Sequence, residues 1–180
     1  MAPRPSTLPT IFLGHGAAGT AASMQPYVDS LEARGLRARA VSLRRGGRTV
    51  PKAERAVPDF QASARPGAIA GGHSYGGRVA SLAAVETDYA ALILLSYPLH
   101  RPGHPETPRT EHWPRIRCPV LLLSGESDPF AQLSLLKKSV KLLPDARLVT
   151  FPGVGHGLLP VLDEAMDRAA AFVKETVRAR

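Results

Sequence analysis

The chain has a single cysteine, Cys118, in 180 residues, so no disulfide can form within it. Cys118 precedes a proline and an apolar run and reads as a small packing residue. No stretch reaches the roughly 18 consecutive apolar residues of a membrane-crossing helix. Ile11-Phe12-Leu13 is stopped by Gly14 before a leader-length apolar segment builds up. These shortages predict a cytoplasmic protein without a membrane partner. Aromatic residues are also few, at 6%. None falls among Arg34, Arg37, Arg39, Arg44, Arg45, Arg48, Lys52 and Arg55, so this basic stretch lacks stacking rings for nucleic acid, and none is expected as partner. Acidic residues number 15 against 23 basic ones, for a net charge of +8. The stretch at 34–55 reads as a solvated basic edge or, since Arg44, Arg45 and Arg48 follow a strand, as a place for an anionic substrate. His100, His104 and His112 have no cysteine or carboxylate at ligand spacing, so neither metal nor cofactor is expected.

What the chain does have is alternation. Apolar residues make up 44%, enough for one real core. Apolar runs predict strands at about 10–13, 37–43, 67–71, 90–96, 119–124 and 146–151. Helical periodicity falls near 24–34, 51–63, 76–86, 130–142 and 160–178. The last helix is the clearest, with Leu162, Ala165, Met166, Ala169, Phe172, Val173 and Val177 on one stripe. Strands alternating with helices predict an α/β fold, a three-layer αβα sandwich around a mostly parallel, doubly wound sheet of about six strands. A short tail at 1–8 would precede one domain over 9–180. The irregular exception is 97–117, which holds five prolines and is the only candidate for a partial lid.

Between the third strand and the third helix lies Gly72-His73-Ser74-Tyr75-Gly76. A serine on so tight a strand-to-helix turn adopts a rarely populated backbone conformation, and its neighbours two before and two after must lack bulk. Gly72 and Gly76 meet that demand. The turn would place Ser74 Oγ at the carboxyl edge of the sheet, with the Tyr75 N–H at the helix start facing any oxyanion formed there.

A reactive serine needs a base, and the base needs an acid to hold its tautomer. Asp128 follows the predicted strand Pro119–Ser124, just before Pro129, which suits the first turn of the next helix. Asp128 could also serve as a helix cap, and Glu126 is the rival acid. His156 stands in Pro152-Gly153-Val154-Gly155-His156-Gly157, after the next strand, where glycines let it project. All three residues follow strand ends, in the order serine, acid, histidine. The loop Gly14-His15-Gly16-Ala17-Ala18-Gly19, after the first strand, offers the Ala17 N–H as second oxyanion donor. His15 reads as a structural residue that holds this loop. No Lys-Ser or Lys-Thr pair follows, which excludes a Walker A phosphate loop.

These motifs resemble the α/β-hydrolase superfamily in a minimal form without the leading antiparallel strands. Ser96-Tyr97-Pro98-Leu99-His100, Glu111-His112 and Ser124-Gly125-Glu126-Ser127-Asp128-Pro129-Phe130 resemble the compact family of the testis-expressed hydrolase-like protein and the hydrolase-like domain of a non-specific-lethal complex subunit. A more distant resemblance is to dienelactone hydrolases, which carry cysteine where this chain has Ser74. The resemblance implies the fold and a serine-hydrolase site with Ser74, Asp128 and His156 as catalytic residues, and it does not settle a substrate. The triad itself leads us to expect hydrolysis of a small ester or thioester through an acyl-serine intermediate. It leaves two alternatives open, a non-catalytic interaction scaffold and a haloperoxidase-like perhydrolase.

Overall fold

The computed structural model describes residues 8–44 and 50–178; the tail predicted at 1–8 lies, Leu8 apart, outside them. Six strands form one sheet, and every pairing is parallel: β1 (Ile11–Gly14), β2 (Ala38–Val41), β3 (Ile69–His73), β4 (Ala91–Leu95), β5 (Val120–Gly125) and β6 (Ala146–Phe151). Their order across the sheet is β2-β1-β3-β4-β5-β6. Among the described residues five α-helices flank the sheet: α1 (Gln25–Ala33), α2 (Ala53–Ser63), α3 (Tyr75–Glu86) and α4 (Leu133–Ser139) between strands, and α5 (Leu162–Arg178) after the last.

Parallel strands buried on both faces read as unbroken apolar runs, and successive side chains must serve opposite layers. In β4, Ala91, Ile93 and Leu95 join the core under α1 and α5, while Leu92 and Leu94 join the core under α2, α3 and α4. The chain steps from β1 to β2 in one direction and from β3 to β6 in the other. With right-handed crossovers, that reversal sends α1 to one face and α2 and α3 to the other. The loops after β1 and β3 therefore diverge, and a crevice opens between the carboxyl ends of these two strands.

Three expected boundaries shift for local reasons. The strand expected at 37–43 stops at Val41, because the Leu43 N–H turns from the ladder to donate to His15 Nε2 at 3.1 Å. The strand expected at 67–71 runs on to His73 through its glycines. The helix expected at 130–142 begins only at Leu133 and ends in a 3-10 turn over Val140–Leu142. Gln132 is held extended, its N–H captured by His100 Nε2 at 2.9 Å, so Pro129 sits in the preceding turn rather than the helix's first turn.

The proline-rich excursion has two parts. Tyr97, Leu99, Trp113 and Ile116 are buried in the core under α3, with the Tyr97 and Trp113 rings edge to face at 5.0 Å. Burial pushes the Tyr97 phenol up to about 12, so it stays a hydrogen-bond donor, to the Arg109 carbonyl at 2.7 Å. The tip at 101–108 is exposed.

Candidate active site

Ser74 caps α3 with φ 51° and ψ −118°, the left-handed strain that its short turn imposes. Such a conformation costs about 1–3 kcal/mol and persists only where the surroundings over-determine it. Here they do. The Ser74 N–H donates to the Leu95 carbonyl at 2.9 Å, and its carbonyl accepts from the Arg78 N–H at 3.0 Å. The turn also lies against β1 with no space for a side chain: a Cβ on Gly76 would collide with the Gly14 carbonyl, and one on Gly72 with the backbones of Gly14 and Gly76. The glycines read from the sequence as needed for lack of bulk are thus needed for close approach.

Three strand ends deliver three side chains to one point. Ser74 Oγ lies 2.8 Å from His156 Nε2. On the other side of the ring, His156 Nδ1 lies 3.0 and 2.9 Å from the two Asp128 carboxyl oxygens. A carboxylate can only accept, so the ring proton sits on Nδ1, Nε2 is left as an acceptor, and the serine hydroxyl donates to it. The Asp128 side chain is fully buried, whereas that of His156 is 25% exposed. Asp128 Oδ1 also accepts from the Phe130 N–H at 2.8 Å, which fixes the carboxyl plane. The rival Glu126 is turned elsewhere and accepts from the Thr150 hydroxyl at 2.7 Å.

The loop after β1 forms the facing wall. Gly19 N–H bonds to the Gly16 carbonyl at 3.0 Å, which puts Ala17 and Ala18 at the corners of a tight turn lining the cavity beside Ser74. His15 is buried, its Nδ1 donating to the Gly16 carbonyl at 2.8 Å while Nε2 accepts from Leu43. It ties the loop to the end of β2. The Tyr75 N–H belongs to the first turn of α3, where helical geometry gives it no intrahelical partner.

Two residues that support this arrangement carried no assigned role in the sequence reading. His73, just before the serine, donates from Nε2 to the His156 carbonyl at 3.0 Å and stacks on Tyr27. Burial lowers its pKa, outweighing the hydrogen bond to the His156 carbonyl, which raises it, so the ring is neutral at neutral pH. Phe130 packs on the His156 ring with centroids 4.3 Å apart. The available signal was position alone: a histidine ending a buried strand must find a partner.

The cavity has a volume of about 1330 Å³, well above what a short acyl group fills. One wall comes from the excursion, through Pro98, Arg101, His104, Glu106, Thr107 and Arg109. The basic stretch at 34–55 contributes less than its sequence promised. Arg34 pairs with Asp163 and Asp167, Arg37 donates to the Leu8 carbonyl, and Arg44 pairs with Asp59. Arg45 and Arg48 lie outside the described residues, and Lys52 is the one described cation of that stretch that lines the cavity. Among the described residues no group of three or more histidine, cysteine or acidic side chains could hold a metal, and no helix is long and apolar enough to cross a membrane.

Comparison with known proteins agrees with this architecture. A monoacylglycerol lipase from Paleococcus ferrophilus superposes with a TM-score of 0.78 at 15% identity, over 94% of this chain and 96% of that one. A thermophilic esterase from Thermogutta terrifontis superposes with a TM-score of 0.70 at 18% identity, over 95% of this chain and 90% of that one. Among sequence relatives, a non-heme chloroperoxidase from Burkholderia pyrrocinia is 46% identical over 73 residues, 38% of this chain and 26% of that protein. The polyketide synthase ThaQ of Burkholderia thailandensis is 37% identical over 71 residues, 39% of this chain and 3% of that protein. The chain thus matches only 26% and 3% of the length of these two relatives. The alpha/beta hydrolase domain family matches residues 9–178, nearly the whole chain. The protein belongs to the alpha/beta hydrolase family.

Proposed function

We propose that the protein hydrolyses a carboxylic ester or thioester through an acyl-serine intermediate. The observation that carries this reading is the hydrogen-bonded sequence Asp128–His156–Ser74, opening on a cavity. Ser74 Oγ attacks the substrate carbonyl while His156 Nε2 takes its proton. The tetrahedral oxyanion faces the N–H groups of Tyr75 and Ala17, each such donor being worth about 3 kcal/mol in the transition state. As the intermediate collapses, His156 returns the proton to the leaving alcohol or thiol. Water then attacks the acyl-serine by the same route, releasing the acid and restoring the hydroxyl. Asp128 holds the ring in the tautomer that can accept, and stabilises the imidazolium.

A fluorophosphonate probe tests the assignment. It should label the wild-type protein and fail to label Ser74→Ala. Absence of labelling in folded wild-type protein would favour the scaffold reading instead. A second activity is favoured by the likeness to the chloroperoxidase: the same acyl-serine attacked by hydrogen peroxide would give a peracid. Peracid formation at fixed ester concentration and rising peroxide measures it. The compact family of the testis-expressed hydrolase-like protein is the finer kinship we propose. Its support is the Tyr97-Pro98-Leu99-His100 segment, whose tyrosine and histidine fix the cavity wall and the start of α4.

A further inference from the structure

The cavity beside Ser74 has a chemical character that ester cleavage alone does not require. Lys52, Arg78, Arg101 and Arg109 line it, against two carboxylates, Glu54 and Glu106. Both carboxylates are engaged, Glu54 with Arg78 at 3.2 Å and Glu106 with His104 at 3.0 Å. Arg101 and Arg109 have no ion pair within 4.0 Å among the described residues.

Placement makes this more than a charged rim. The Arg78 N–H bonds to the Ser74 carbonyl, so Arg78 stands one helical turn, about 6 Å along the axis, from the serine. Tyr75 and Arg78 share a face of α3, and both Tyr75 Oη and Arg78 Nε are buried without a hydrogen-bond partner. Arg109 is held from its backbone: its N–H donates to Leu99 and its carbonyl accepts from Tyr97 Oη, both at 2.7 Å. Among the described residues its guanidinium hydrogen-bonds only the Pro98 carbonyl, at 3.5 Å. Burial, then repulsion from Arg78 and Arg101, hold that guanidinium below the usual arginine range. Arg78 is partly offset by Glu54, but Arg101 and Arg109 have no acid paired to them among the described residues, so the cluster gains by admitting an anion, and a guanidinium fork matches a carboxylate.

We propose that the arm of the cavity bounded by Arg78, Arg101 and Arg109 binds a carboxylate carried by the substrate, making half-esters of dicarboxylic acids the preferred substrate class. The assignment rests on the serine-hydrolase reading for its chemistry but not for its binding site.

The test compares 4-nitrophenyl hemiglutarate with the neutral 4-nitrophenyl butyrate. Wild-type protein should favour the anionic ester in kcat/KM. Arg101→Gln and Arg109→Gln should each lower the anionic-to-neutral ratio about tenfold, mainly through KM. Arg117→Gln, a surface arginine paired with Asp88, should leave the ratio unchanged. Equal rates on both esters, or equal losses in both, overturn the proposal. Glutarate binding by calorimetry separates the two layers. Binding that requires Arg101 and Arg109, in protein that cleaves neither ester, keeps the anion site and removes the hydrolase reading. No glutarate binding together with unselective cleavage keeps the hydrolase and removes the anion site.

Discussion

Helix α3 carries two serine–histidine pairs with the same separation, Ser74 with His156 and Ser81 with His112, each 2.8 Å from Oγ to Nε2. The contact is the same; the third partners are not. Behind His156 stands the Asp128 carboxylate, which places the ring proton on Nδ1 and makes Ser74 the donor. Ser81 instead donates to the Arg78 carbonyl one turn back, at 2.7 Å, so it can only accept from His112 Nε2. The His112 ring is turned the other way in proton terms, and its Nδ1 is buried without a hydrogen-bond partner, with the Glu111 carboxylate 4.0 Å away. One pair opens on a cavity and the other is sealed beneath the helix. A serine–histidine distance therefore does not define a reactive hydroxyl. The direction of the proton does, and the group behind the ring sets it.

The comparison breaks most sharply on activity. Ser74→Ala should lower kcat by ~10⁶, the scale seen when a hydrolytic serine is removed, while Ser81→Ala should keep ester turnover in the wild-type range. Comparable losses from the two substitutions would erase the distinction. The acid comes next. Asp128→Asn should lower kcat by ~10⁴, because an amide no longer enforces the accepting tautomer. Glu126→Gln should cost less than tenfold, since Glu126 serves the Thr150 hydroxyl; the reverse ranking would reassign the acid.

The sealed pair should reveal itself through stability. Burial lowers the His112 pKa from 6.5 to about 4, a shift that Glu111 and Glu54 oppose and Arg78 and Arg115 assist. Below pH 6.5 the unfolded chain takes up a proton that the folded one refuses until about pH 4. Stability should thus fall across that window, by on the order of 3 kcal/mol at its acid end. His73, also lowered, adds to the same slope. Denaturant midpoints from pH 8 to 4 for wild type and His112→Gln measure it, and an unchanged slope in the variant would contradict this account. The smallest effect is Ser81→Ala, which orphans the His112 N–H and should cost about 1–3 kcal/mol at neutral pH. Thermal unfolding checks this, and an unshifted midpoint would show that the pair holds nothing.

Much of this was legible along the chain because simple local rules fixed it. Apolar runs too short for membrane and too continuous for amphipathic strands predicted a sheet buried on both faces. Gly72 and Gly76 marked a turn that no side chain could share, and glycines marked the loop of His156. What stayed hidden depends on contacts between distant segments. The Leu43–His15 bond that ends β2 and the Gln132–His100 bond that delays α4 leave no periodic trace. The same is true of the cavity wall, where Tyr97 pins Arg109 across a proline-rich segment without regular structure. The arginines in the basic stretch drew notice by number, whereas Arg78, Arg101 and Arg109 are dispersed in sequence and meet only in the fold.

The central claim is tested most directly by trapping the covalent intermediate. A slowly deacylating ester, mixed with protein and quenched in acid, should add the mass of one acyl group, and peptide mapping should place it on Ser74. Wild-type protein that turns the ester over with no adduct, or with the adduct on another residue, would contradict the account.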